Sequence, residues 1–267
     1  AAERRQGGPP GASPVTIDSH PDVQRMLLDM TAKLEVLRGL GLLLGVHADL
    51  ALHDRDKEYR KQSSALVAFL LPIYKTLAGG AGFELASEAI QVLGGAGYTD
   101  EWPLEQALRD GRIATIFEGT TGMQALDLLH RRLWQDQSAG LDIFLKMARE
   151  DLATHDSTSA DVALDCCELL EQAAARLAAM RTETSAAEAG ATAFLELAGL
   201  AALGWIAARL TAVEGSGEAE NSLRAAGKWY LRDLVARCAA LDVQISANAA
   251  CADLFRQITA GNGNTPA

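Results

Sequence analysis

One long apolar stripe near the start of the sequence constrains the fold of this chain more than any other feature. It follows Pro21, a residue suited to the first turn of a helix, and continues to about His53. Its members recur at intervals of three and four residues, which places them on one face of an α-helix. They are Val23, Met26, Leu27, Met30, Leu34, Leu37, Leu40 and Leu44. A helix of this length has to bury that face against other helices, so the stripe predicts a helical bundle.

The composition extends this prediction to the whole chain. Hydrophobic residues make up 49% of the sequence and aromatic residues only 5%, which favours close packing of small side chains over β-structure. We therefore expect an all-α protein. Further helices are predicted over residues 63–77, 81–93, 121–133, 140–153, 160–182, 187–213 and 218–252. Pro72 is expected to kink or interrupt the helix over residues 63–77, and Gly79, Gly80 and Gly82 are expected to mark a break after it.

The helical segments divide into two predicted domains. Residues 1–20 form a loop rich in glycine and proline that leads into the first bundle, which covers residues 21–135. Residues 136–258 form a second helical domain, in which an alanine-rich sequence favours close helix packing over a binding groove. Residues 259–267 are predicted to be a disordered tail because they contain glycine, asparagine and proline.

Charge and hydropathy exclude two classes of partner. A net charge of −11 argues against nucleic acid, because nucleic-acid binding depends on clustered Lys and Arg. The longest apolar stretches, around residues 40–46 and 198–208, are too short or too interrupted to cross a bilayer of about 30 Å. No membrane span is therefore predicted.

The histidines and cysteines show no spacing typical of a metal site. His47 and His53 are six residues apart and do not share a helix face, so no metal is predicted. The cysteines are interpreted as small apolar residues buried in a reducing compartment, and we expect a cytoplasmic protein. They are Cys166, Cys167, Cys238 and Cys251.

The segment over residues 91–120 indicates a function. It reads Gln-Val-Leu-Gly-Gly-Ala-Gly-Tyr at 91–98, Trp-Pro at 102–103, Arg-Asp-Gly-Arg at 109–112, and Ile-Phe-Glu-Gly-Thr at 116–120. Glycines lack a Cβ, so their backbone can lie against a cofactor phosphate or ribose, although a plain helix end and turn would use the same residues. In order and spacing, these elements resemble the carboxy-terminal signature of the acyl-CoA dehydrogenase family.

The resemblance implies α,β-dehydrogenation of an acyl-CoA thioester to the 2-enoyl-CoA. Glu118 matches the base that removes the α-proton, while the β-hydrogen leaves as hydride to flavin adenine dinucleotide (FAD). Gly119 is assigned to substrate binding, and the main-chain N–H of Glu118 is expected to help bind the thioester carbonyl. The alternative is that Glu118 is an exposed residue ahead of a helix, where a carboxylate complements the helix dipole.

Four more residues of the segment over residues 91–120 match positions that contact the flavin in this family. Gln91, Gly94 and Gly95 resemble the segment that contacts FAD from across a subunit interface. Thr120 matches a flavin-contacting threonine. The resemblance therefore implies that this part of the chain lies at a subunit interface.

Two further positions bear on the cofactor and on the subgroup. Arg4 resembles an arginine that reaches the flavin pyrophosphate of the partner subunit, because a guanidinium suits a diphosphate; a solvated charged end is its alternative. Gly122 stands where many family members place glutamine, so a contact to the adenosine end is lost or replaced. The sequence around this change looks like that of the subgroup with an additional helical domain after the usual bundle.

The resemblance also sets the expected partners. They are an acyl-CoA substrate, an electron-transfer flavoprotein as acceptor, and either a homo-oligomer (dimer or tetramer) or a chain that carries the family's amino-terminal domains. Because those domains have no counterpart in this sequence, we expect a carboxy-terminal part of a longer enzyme that is inactive alone. Two alternatives stay open: a short subunit that completes its site with a different chain, and a non-catalytic helical interaction module.

Overall fold

The structure is built from helices, as the all-α prediction requires. The computed structural model describes residues 1–8, 10–11, 13–155 and 158–261, and no β-strand lies among them. The α-helices, in chain order, are α1 (Pro21–His53), α2 (Lys57–Leu93), α3 (Leu104–Arg112), α4 (Thr121–Leu126), α5 (Ala139–Leu152), α6 (Thr158–Ala179), α7 (Thr184–Thr211), α8 (Glu218–Leu231), α9 (Leu234–Ala247) and α10 (Cys251–Gly261). Short 3₁₀ segments lie at Ile17–Ser19, Gly94–Tyr98, Ile113–Thr115 and Asn248–Ala250. A π-helix covers Asp127–Gln135 and follows α4 directly.

Helices α1 and α2 form an antiparallel hairpin. Lys33 of α1 forms an ion pair with Glu84 of α2, with 2.5 Å between Nζ and Oε2. Further along α1, the imidazole of His47 hydrogen-bonds to the hydroxyl of Ser63 near the start of α2, at 3.2 Å. The start of α1 therefore lies beside the end of α2.

Helix α2 is continuous where the sequence predicted two helices and a break. Asp56 caps its start by accepting hydrogen bonds from the N–H groups of Glu58 and Tyr59. The helix then runs through Pro72 and through all three glycines, so the predicted break was wrong. Most helix stability in proteins comes from packing, and buried residues on both sides of the glycines hold α2 in place. They include Phe69, Leu70, Ile73, Ala81 and Ala86.

The helix predicted over residues 218–252 is also different, because α8 ends at Leu231 and α9 starts at Leu234. At this corner the indole N–H of Trp229 and the guanidinium of Arg232 both donate to Asp29 Oδ1 of α1, at 2.8 and 2.7 Å. These contacts attach the corner to the hairpin, so the chain turns here instead of continuing as one helix.

Helix α7 lies at the centre of the molecule, in contact with α1, α2, α4, α5, α6, α8 and α9. A Cβ on Gly199 would lie 2.6 Å from a methyl carbon of Leu77, so glycine permits the close approach of α7 to α2. Buried residues of both predicted domains belong to one hydrophobic cluster. The division at residues 135 and 136 therefore stays a prediction, and the two segments share a core.

The lengths of the helices correct the prediction that no segment could span a membrane. Three described helical segments are long and apolar enough to cross a membrane, judged by length and composition alone: Pro21–His53, Lys57–Tyr98 and Thr184–Thr211. The prediction of no membrane span depends on unbroken apolar runs, whereas a helix continues through isolated polar residues. In the fold, the most apolar window of α7 is 89% buried, against 28% for that of α1.

The end of the chain differs from two predictions. Residues 259–261 belong to α10 and not to a disordered tail, while residues 262–267 lie outside the described residues. Cys166, Cys167 and Cys238 are buried as predicted, but Cys251 is exposed because α10 leaves most of its side chains in solvent.

Candidate active site

Glu118 lies in a short loop between the 3₁₀ turn at Ile113–Thr115 and helix α4. The backbone φ angle is 57° at Glu118 and 92° at Gly119, so two consecutive residues take left-handed conformations. Gly119 does so at little cost, because it lacks a Cβ. For Glu118 the conformation costs about 1–3 kcal/mol, and such strain persists only where the surroundings hold the backbone in place.

Side chains from α2 and α4 hold this loop. Lys75 Nζ of α2 donates to the main-chain oxygen of Gly119 at 2.5 Å, and Gln124 Nε2 of α4 donates to that of Glu118 at 3.0 Å. Thr120 Oγ1 accepts from the N–H of Met123 at 3.4 Å and so caps α4. A hydrogen bond that involves a charged group contributes about 1.5–3 kcal/mol, so the Lys75 contact alone can offset the strain at Glu118.

Close backbone packing fixes the position of the loop along α2. A Cβ on Gly79 would lie 2.9 Å from the main-chain oxygen of Ala114, in the turn that leads to Glu118. Glycine is therefore required where α2 meets this turn. Because Gly79 lies one helical turn after Lys75, two contacts on the same side of α2 support the loop.

The outward side of the loop is open. The Glu118 side chain is exposed. Within the described part of the chain, the main-chain N–H groups of Glu118 and Gly119 donate no hydrogen bond, although both carbonyls are engaged. A carboxylate with free N–H donors beside it can accept a proton from a substrate and hold a carbonyl oxygen of the same substrate.

We call residues 98–123 the Glu118 segment. Six large apolar side chains of this segment are exposed. They are Tyr98, Trp102, Ile113, Ile116, Phe117 and Met123. Helix α3, in the middle of the segment, buries none of its residues. Exposed apolar residues in this number are typical of a surface that contacts another molecule.

Gln91, Gly94 and Gly95 lie at the end of α2 and are exposed. Gly94 has a φ of 61°, and a Cβ on either glycine would meet nothing within 4 Å, so their backbone is open to a ligand. Lys75, which holds the Glu118 loop, precedes Gln91 by 16 residues (75 to 91). At 1.5 Å per residue the two sites are about 24 Å apart along α2.

The structure therefore brings together Glu118, Gly119 and Thr120, which follow one another in the loop, and keeps them away from the Gln91 end of α2. Arg4 belongs to that far end, because its main-chain oxygen accepts a hydrogen bond from the N–H of Ile17, just before α1. Its guanidinium makes no hydrogen bond or ion pair with the described residues, so it is free to bind an anion.

Lys75 and Gln124 were not among the residues predicted from the sequence. Lys75 did leave a signal, since it is the one charged residue between Lys61 and Glu84. A lone cation in a long apolar helix needs a polar partner, because burying it without one is costly. Gln124 left no comparable signal, because an amide at a helix start is ordinary.

Comparison with known proteins gives the following matches. Residues 12–133 match the model of the acyl-CoA dehydrogenase C-terminal domain. The chain is 35% identical over 198 residues to the 3-methylmercaptopropionyl-CoA dehydrogenase of Ruegeria pomeroyi, covering 72% of this chain and 34% of that protein. It is 34% identical over 131 residues to the broad-specificity linear acyl-CoA dehydrogenase FadE5 of Mycobacterium tuberculosis, covering 48% of this chain and 21% of that protein.

A solved structure described as the Bd2924 apo-form superposes with a TM-score of 0.52 at 19% identity, covering 86% of this chain and 36% of that one. This match concerns the fold. The chain spans 34% and 21% of the lengths of the two sequence relatives.

Proposed function

Since residues 12–133 belong to the acyl-CoA dehydrogenase family as its C-terminal domain, we propose that this chain supplies the α-proton base and part of the flavin site of an FAD-dependent acyl-CoA dehydrogenase. The family membership confirms the resemblance found in the sequence. The substrate class is an acyl-CoA thioester, and the product is the 2-enoyl-CoA.

One observation carries the proposal: Glu118 presents an exposed carboxylate from a strained loop that other residues hold in place. The α-hydrogen of a thioester is weakly acidic, so its removal needs a positioned base and a donor for the carbonyl oxygen that gains charge. The free N–H groups of Glu118 and Gly119 supply such donors in the same loop. The apolar residues of the Glu118 segment suit an acyl chain or a covering domain, either of which would exclude water.

The residues at the far end of α2 fit part of FAD. When bound, FAD supplies the two-electron acceptor for the β-hydrogen, so that the Cα–Cβ single bond of the substrate becomes a double bond. The open backbone of Gly94 and Gly95 lies at a helix carboxy terminus, where the helix dipole is negative. That end disfavours a phosphate and suits a ribose hydroxyl or an adenine N–H, whereas the free guanidinium of Arg4 suits the pyrophosphate.

The distance between the two sets of residues supports the predicted subunit interface. Glu118 must approach the reacting carbons, whereas Gln91, about 24 Å further along α2, would contact the cofactor of another protomer. This arrangement supports a homo-oligomer, or a complex with a chain that carries the remaining flavin site. An electron-transfer flavoprotein as acceptor and a cytoplasmic location are part of the same proposal.

Replacement of the base tests the proposal. In the flavin-loaded enzyme, Glu118→Gln keeps the size of the side chain and removes the proton acceptor. We expect flavin reduction by acyl-CoA to slow by about 10²- to 10⁴-fold, the usual effect of losing a positioned base, with acyl-CoA binding largely retained. Stopped-flow measurement of flavin bleaching gives the rate, and Glu118→Asp should retain part of it.

A carboxylate outside the Glu118 segment serves as the matched control. Glu150 in α5 forms an exposed ion pair with Lys146 at 3.9 Å, so Glu150→Gln should leave the rate near that of the wild type. A near wild-type rate in Glu118→Gln would move the base to another residue. Absence of flavin from every complex that the chain forms would favour the alternative, a non-catalytic helical partner subunit.

A further inference from the structure

Lys75 is the one charged side chain in a long apolar part of α2, and it does not form an ion pair with any described carboxylate. It is half-buried, and its ammonium group instead donates to the main-chain oxygen of Gly119 at 2.5 Å. The two residues are 44 positions apart in the chain. The partly desolvated ammonium group of Lys75 thus donates its hydrogen bond to one carbonyl of the Glu118 loop.

This contact determines the orientation of the peptide plane that follows Gly119. Gly119 can adopt many backbone angles, so without a partner its carbonyl could rotate. The left-handed conformation of Glu118 depends on the next residue remaining in place, because the two φ angles of 57° and 92° are consecutive. Gln124 holds the carbonyl of Glu118 from α4, but only Lys75, among the described residues, reaches this loop from α2 by a hydrogen bond.

We propose that Lys75 is a positioning residue for Glu118: its ammonium group fixes the Gly119 carbonyl and thereby aims the Glu118 carboxylate at the substrate. The inference rests on the proposed function of Glu118 as the base. It predicts that loss of the cation loosens the loop and slows proton removal while acyl-CoA binding changes little. A misplacement of about 1 Å can cost on the order of 10²-fold in rate.

The test compares three variants on one helix. Lys75→Met removes the charge at similar length, Lys75→Arg restores a cationic donor, and Lys61→Met is the control because Lys61 is exposed on α2. Amide hydrogen exchange over residues 113–121 of the 267-residue chain measures directly how readily the loop opens. We expect faster exchange in Lys75→Met, partial recovery in Lys75→Arg and no change in the control.

The second readout is flavin reduction by acyl-CoA in the loaded enzyme. Lys75→Met should slow the reduction step by about 10- to 10²-fold with the dissociation constant of acyl-CoA nearly unchanged, and Lys75→Arg should recover part of the rate. In Glu118→Gln, the additional Lys75→Met change should have little further effect, because residues that act as a unit are not additive.

The outcomes separate this inference from the proposed function. If Lys75→Met leaves both loop exchange and flavin reduction unchanged while Glu118→Gln abolishes reduction, Lys75 is not a positioning residue and Glu118 remains the base. If Glu118→Gln retains the wild-type rate, the proposed function fails whatever Lys75 does. Should Lys75→Met not fold, Lys75→Gln, which keeps a shorter neutral donor, takes its place with the same expected results.

Discussion

Helix α7 and the Glu118 segment both carry many apolar side chains, but the fold places them in opposite environments. Every residue from 197 to 208 of α7 is buried, and helices pack around it. In the Glu118 segment, large side chains such as Phe117 and Met123 are exposed, and α3 contributes nothing to the core. A helix that is apolar on all sides is stable only when it is surrounded.

The difference separates apolar residues that the fold buries from apolar residues that it leaves in solvent. Alanine and glycine along α7 let its neighbours approach closely, so the chain covers this helix by itself. No described helix fully covers Phe117 or Met123, and Phe117 directly precedes the candidate base. We infer that burial of this segment comes from substrate, cofactor or another domain.

The largest expected effect compares the same substitution in the two regions. Phe194 of α7 is fully buried, whereas Phe117 is 47% exposed. Phe194→Ala should reduce the free energy of unfolding by about 3–5 kcal/mol, because it removes buried apolar contacts and leaves a cavity. Phe117→Ala should reduce it by only about 1 kcal/mol, because about half of this side chain is already in solvent. Urea unfolding followed by circular dichroism gives both values; equal costs would contradict the comparison.

A smaller effect is expected where α2 meets the turn before Glu118. Gly79→Ala places a Cβ against the Ala114 carbonyl and should reduce the free energy of unfolding by about 1–3 kcal/mol. The adjacent Gly80 has open space around its Cβ position, so Gly80→Ala should be neutral or stabilise α2 by up to about 1 kcal/mol. Thermal unfolding of the matched pair measures the difference. If the Gly79→Ala variant were as stable as the Gly80→Ala variant, the turn at Ala114 would not pack closely against α2.

The smallest effect concerns His47, a buried polar residue near the end of α1. Burial lowers the pKa of His47 below its ordinary value of 6.5. Since the unfolded chain then takes up a proton more readily than the folded one, stability is retained above about pH 6.5 and decreases as the pH falls through the lowered pKa. His47→Gln should reduce this decrease, measured by urea unfolding between pH 7.5 and 5.5 (about the range in which histidine titrates).

The exposed His53 provides the control for this measurement, since His53→Gln leaves the hydrogen bond between His47 and Ser63 in place. If both variants kept the pH dependence of the wild type, the decrease would come from other groups.

The sequence by itself determined the features that depend on local spacing. The apolar stripe predicted α1 with its correct ends, and the composition predicted the all-α class. The order of residues 91–120 predicted the family whose C-terminal domain model matches residues 12–133. Helical periodicity and turn residues act over a few positions, so they can be read without knowing what lies next to them.

Only the tertiary structure decided the features that depend on contacts between distant residues. The glycines of α2 look like helix breakers in the sequence, yet packing keeps them helical and uses Gly79 for the approach of Ala114. The partner of Lys75 is 44 residues away, and the separation of Glu118 from Gln91 follows from the length of an unbroken α2. Such contacts form when the chain folds back on itself, and no local pattern of residues specifies them.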